Sequence, residues 1–270
     1  MMKSRGLTQQ ILDQLHRHPQ LPLLLRASRA LSERLLTSRF RPLIVPKQAS
    51  YSELASLLKR YIPLGSRVLM SGCGNSEFSE DMVKDGFKEI INIDISSVVI
   101  EAMEKKYQHL PQLKYMAMDV LDMSYFEKCS FDCVIDKGTL DAIMCVAGGP
   151  YNIAMMLAEI ARLLKPGGVY MLISFAGPQL SLPLLNRDAF GWSIDSHVLY
   201  KRSSGEGCSE AYSEPIPINV EDAHMKNQMA PRFCLGFIIL RQVCIILSKR
   251  SHEDNELVVK DLGSRSIYPH

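Results

Sequence analysis

From residue 50 to 175 the apolar positions alternate between two spacings. Leu54, Leu57, Leu58 and Tyr61 recur at helical intervals behind Ser50 and Glu53, which have the spacing of a capping box. After "PLGS" the short run "RVLMS" (67–71) reads as a strand that stops at Gly72, Cys73 and Gly74, and a helix follows from about Glu77 to Asp85, closed by Gly86. The unit then repeats. "EIINID" ends at Asp94 as a second strand, "SSVVIEAMEKKY" supplies a helix, and "LKYMAMD" is a third strand ending at Asp119. "SFDCVIDKG" is a fourth strand, "NIAMMLAEIARLLKPGG" a helix stopped by Pro-Gly-Gly, and "VYMLISF" a fifth strand.

Beyond residue 175 the pattern is less regular. "FGWSIDSHVLY" and "GFIILRQVCIILSK" read as two further strands with no helix between them, so they are expected to pair antiparallel. Strands alternating with helices imply an α/β fold, a doubly wound, mostly parallel seven-stranded sheet with an antiparallel final pair. The expected organisation is a leader over 1–47, one domain over 48–248 carrying a polar Ser/Gly/Pro insertion at 201–232, and a polar tail over 249–270.

Composition narrows the class. The chain has 270 residues, 47% hydrophobic and 22% charged, enough for one sizeable core. No apolar run reaches the length of a membrane span, since "FIILRQVCIIL" is broken by Arg241 and Gln242. Seven cysteines without a CxxC pair suit reduced thiols and indicate neither a disulfide framework nor a zinc site. The net charge of +2 is uneven: residues 1–47 hold nine Lys or Arg against Asp13 and Glu33. Such a leader has the composition of an organelle transit peptide or of a solvated basic arm, so the expected compartment is the cytoplasm, with the mitochondrion as the alternative. The basic segment lacks interleaved aromatics and the body is acidic, which argues against nucleic acid as a partner.

The abrupt stop at Gly72-Cys73-Gly74 carries the chemistry. In a doubly wound sheet ligands bind beyond the carboxyl ends of the strands, and the two glycines leave room for backbone to approach a ligand. Asp94, at the end of the next strand, is placed to accept hydrogen bonds from a ribose diol. A dinucleotide fingerprint would put a third glycine at 77, where this chain has Glu77. A carboxylate at that helix start opposes a pyrophosphate, whereas S-adenosyl-L-methionine is a sulfonium cation without phosphate. The acid-rich turn therefore favours S-adenosyl-L-methionine over NAD.

Three blocks in order, "VLMSGCGNSEFSEDMVKDGFKEIINIDISSVVIEAM", "PQLKYMAMDVLDM" and "FDCVIDKGTLDAI", closely resemble the methyltransferase-like family that includes elongation factor 1-alpha lysine methyltransferases and the citrate synthase lysine methyltransferase. "FGWS" at 190–193 matches a further block, and the likeness covers roughly residues 50 to 200. The resemblance implies the Rossmann-like class I methyltransferase fold and S-adenosyl-L-methionine as cofactor. It further implies methyl transfer to a lysine of a protein, or to a small molecule as the enzymatic variant. By the same resemblance Gly72, Cys73 and Gly74 would line the methionine and ribose portion, Asp94 would hold the ribose hydroxyls with Ile95 against the adenine, and Asp119 with Val120 would meet the adenine edge. Lys137 would contact the cofactor, and Asp136 would border the transfer centre and orient the acceptor amine. Tyr51 aligns with the end of an N-terminal lid that family members build from Tyr-Trp, Arg-Tyr and "FDWY"-like segments. This chain has a single tryptophan, Trp192, and lacks those segments, so a noncatalytic member acting through protein contacts is the alternative reading.

Overall fold

A computed structural model of the chain describes residues 49–145, 148–174, 184–185, 192–200, 216–218 and 241–249. The expected leader, most of the polar insertion and the tail lie outside these residues. Helix α1 (Tyr51–Tyr61) opens with the expected capping box, the Ser50 N–H donating to the Glu53 carboxylate at 2.7 Å. Eleven residues form only a marginal helix in water, so α1 depends on burying Tyr51, Leu54, Leu57 and Leu58.

Strand β1 (Arg67–Ser71) leads into α2 (Phe78–Lys84), β2 (Glu89–Asp94), α3 (Ser97–Lys106), β3 (Leu113–Ala117) and β4 (Phe131–Lys137). Helices α4 (Thr139–Met144) and α5 (Gly149–Leu163) follow, then β5 (Leu164–Ser174), β6 (Trp192–Tyr200), β7 (Ile216–Ile218) and β8 (Arg241–Lys249). The sheet runs β3-β2-β1-β4-β5-β8-β6-β7. Its first five strands are parallel, and β8 enters antiparallel between β5 and β6. The late strands therefore pair antiparallel as expected.

The strand number differs from expectation. Among the described residues the sheet has eight strands, because Ile216–Ile218, within the segment read as a polar insertion, pairs antiparallel with β6 as a short edge strand. Three residues around a proline carry no period-two signal, and Pro217 is tolerated because the strand lies at the edge. Strand β5 also begins earlier than expected. It takes in the Lys-Pro-Gly-Gly stop, and its register with β4 shifts between Phe131 and Cys133.

Alternation within each strand divides the core into two. Val68 and Met70 join Cys133, Ile135, Met171 and the helices α1, α2 and α3 on one face, while Leu69, Val134, Tyr170 and Leu172 face α5 on the other. Both faces of the central strands are thus dry, and the carboxyl ends of β1, β2 and β4 come side by side at one edge of the sheet.

Candidate functional site

Gly72 and Gly74 take φ of +65° and +53°, so the chain leaving β1 turns through the left-handed region twice. The Cys73 N–H donates to the Ile93 carbonyl at 2.9 Å, and the Gly74 N–H donates to Asp94 Oδ2 at 2.9 Å. Asp94, the last residue of β2, also accepts from the Ser96 N–H through Oδ1 at 3.0 Å. Each carboxylate oxygen keeps a further lone-pair direction for an incoming hydroxyl.

The two glycines are not equivalent. A Cβ on Gly74 would meet nothing within 4 Å, so that side of the turn is open. A Cβ on Gly72 would lie 2.1 Å from the Thr139 hydroxyl oxygen. At Gly72 the space that a Cβ would need is already filled by Thr139, whereas at Gly74 it is empty.

The remaining expected residues are placed as follows. Ile95 is 75% exposed beside Asp94, an apolar surface available to a flat ring, and Val120 is buried. Asp119 lies past the end of β3, which stops at Ala117. Its carboxylate accepts the Leu121 N–H at 2.9 Å and turns the chain. Lys137 ends β4 and is half-buried, and burial holds its ammonium below the usual lysine range. Cys73 is buried, its thiol pushed up to about 12 by burial and then by the charge of Asp94, so it is a neutral turn residue rather than a nucleophile. Glu77, whose charge argued against a pyrophosphate, is the N-cap of α2 and pairs with Lys106 at 2.7 Å.

Tyr51 and Asp136 are both enclosed by protein. Tyr51 is buried edge-on to Phe78, and its hydroxyl donates to Asp85 at the C-cap of α2, the end away from the glycine turn. Asp136 has no exposed surface. Its carboxylate accepts from the Thr139 N–H at 2.8 Å, from the Leu140 N–H at 3.1 and 3.3 Å, and from the Tyr170 hydroxyl at 3.0 Å. Tyr170 is itself packed against Trp192, with ring centroids 5.9 Å apart. In this arrangement Asp136 faces the start of α4 and the Tyr170 hydroxyl.

Sequence reasoning missed Thr139. Its N–H is held by Asp136, and its hydroxyl donates to the Ser71 carbonyl at 2.8 Å. The available signal was a threonine one residue after Gly138, whose φ of +85° reverses the chain.

A mostly parallel sheet with a glycine turn, an acidic residue closing the neighbouring strand and an antiparallel strand inserted at the far side is a Rossmann-like α/β arrangement with its candidate site at the carboxyl ends of the strands. Residues 69–172 match the family model described as a methyltransferase domain. Mouse EEF1A lysine methyltransferase 4 is 34% identical over 163 residues, 57% of this chain and 62% of the mouse protein. Human eEF1A lysine and N-terminal methyltransferase is 38% identical over 152 residues, 55% of this chain and 22% of the human protein. The chain thus spans less than two thirds of either relative. Among solved structures, one described as "Conversion of a Disulfide Bond into a Thioacetal Group during Echinomycin Biosynthesis" is similar in fold, with a TM-score of 0.50 at 17% identity, covering 88% of this chain and 100% of that one.

Proposed function

We propose that the protein transfers a methyl group from S-adenosyl-L-methionine to a lysine of a protein substrate, with a translation elongation factor of the eEF1A type as the first acceptor to test. The observation that carries the reading is the pairing of the open face at Gly74 with an Asp94 carboxylate that already holds the turn. The named activity of the relatives supports lysine as the acceptor.

In this reading Gly74 lies against the methionine and ribose portion, Asp94 accepts from the ribose hydroxyls, and Ile95 covers one face of the adenine, with Asp119 and Val120 at its edge. The cofactor supplies an activated methyl on a sulfonium sulfur. The protein's task is to align the acceptor nitrogen in line with that methyl and to exclude water. The lysine must arrive as the free amine. With Asp136 enclosed, backbone carbonyls at the end of β4 are the groups left to orient that amine, and Asp136 acts by holding the segment that carries them. No helix among the described residues is long and apolar enough to cross a membrane, and the proposed compartment is the cytoplasm.

Calorimetric titration with S-adenosyl-L-methionine and S-adenosylhomocysteine tests the reading. Asp94→Ala is expected to weaken binding about 100-fold, since it removes charge-assisted bonds to the diol and releases the Gly74 N–H. Equal affinity in the variant would remove Asp94 from the site. A folded wild-type protein giving no heat with either ligand would favour the noncatalytic alternative.

A further inference from the structure

We propose that Thr139 is a positioning residue: its hydroxyl, donated across the seam between β1 and β4, sets the shape of the glycine turn. The inference deepens the cofactor reading of that turn and rests on it only for the binding half of its test.

Strands β1 and β4 pair in parallel as far as Ser71 opposite Asp136. Beyond that pair the chains part, β1 into the glycine turn and β4 through Lys137 to Gly138. The left-handed Gly138 and the Asp136 carboxylate, which accepts the Thr139 N–H, bring Thr139 back towards β1. Its hydroxyl then bonds the Ser71 carbonyl at 2.8 Å, with the Gly72 carbonyl at 3.4 Å, a link between residues 68 apart in sequence. A threonine serving only to start α4 would have no need of a partner on another strand.

The side chain also fills the space against Gly72, where an added Cβ would come within 2.1 Å of Oγ1 and 2.9 Å of Cγ2. On the opposite side the turn is tied to β2 through Cys73 to Ile93 and Gly74 to Asp94. The turn is therefore gripped from both neighbouring strands, and a Cβ at Gly74 would still meet open space. Glycine backbone is soft, so a turn tied only on the β2 side would sample more conformations, and a ligand would have to select among them.

The test uses the full chain and two readouts: hydrogen exchange at the Cys73 and Gly74 amides, which needs no ligand, and calorimetry with S-adenosyl-L-methionine. Thr139→Val removes the donor and keeps the shape, and Thr139→Ser keeps the donor. Asp132→Ala is the control, because Asp132 accepts the Arg67 N–H at 2.8 Å at the other end of the same strand pair. Thr139→Val is expected to speed exchange at both amides and to weaken binding about tenfold, with Thr139→Ser within about twofold of wild type in each. Asp132→Ala is expected to lower thermal stability while leaving both readouts in place. Unchanged exchange in Thr139→Val, or equal effects in Asp132→Ala, would overturn the positioning role. Faster exchange in Thr139→Val together with no binding by wild type would leave the positioning role standing and sink the cofactor reading.

Discussion

Gly72→Ala is expected to lower the unfolding free energy by about 2 to 5 kcal/mol, while Gly74→Ala costs only about 1 to 2 kcal/mol. Both positions have positive φ, so both substitutions carry the strain of an L-residue in the left-handed region. Only at Gly72 does the new Cβ also run into protein, and the atoms it meets belong to a short side chain held by its own hydrogen bond. Neither partner can move without breaking the contact between β1 and α4. Urea denaturation of the two variants measures the difference. Adding Thr139→Gly to Gly72→Ala removes all three close atoms and is expected to show a favourable coupling of about 1 kcal/mol or more in a double-mutant cycle. Equal losses at the two glycines would mean that strain alone matters and that Thr139 does not crowd the turn. Gly74→Ala should still impair cofactor binding despite its mild cost, because its open side is the one assigned to the ligand.

Asp136→Ala is expected to destabilise the fold by about 3 kcal/mol, as the Thr139 and Leu140 N–H groups and the Tyr170 hydroxyl lose their shared acceptor. Its pH dependence gives a more specific signature. Burial pushes the Asp136 carboxyl up to about 7 from its usual 3.8, with the Asp141 charge adding to the rise and the hydrogen bonds from Thr139, Tyr170 and Leu140 opposing it. Between those two values the folded chain holds a proton that the unfolded chain has released. The residue's contribution to stability therefore falls as pH rises from about 4 to about 7 and is level above that. Asp136→Asn does not titrate, so the stability difference between wild type and this variant should shift against wild type across the same window. A difference independent of pH would show that the hydrogen bonds outweigh burial and that the carboxylate stays charged.

Most of the architecture was legible in the order of residues because hydrophobic spacing is local. The capping box at Ser50, the strand 67–71 cut off at two glycines and the body of the helix from Asn152 each follow from a few adjacent positions. Asp94 could be singled out because its distance along the chain from Gly72 is set by one strand-helix-strand unit. The short strand Ile216–Ile218 could not, since its pairing partner on β6 and not its own pattern makes it a strand. What the side chains of "DKGT" touch was likewise a tertiary matter. Asp136 is buried between α4 and Tyr170, and the approach of β4 to β1 turns Thr139 towards the glycine turn. Sequence alone determined that a glycine turn and an acid stand at adjacent strand ends, because both are consequences of local period. Only the tertiary structure decided which glycine has open space beside it and which faces Thr139, because that depends on contacts between residues 67 and 68 positions apart.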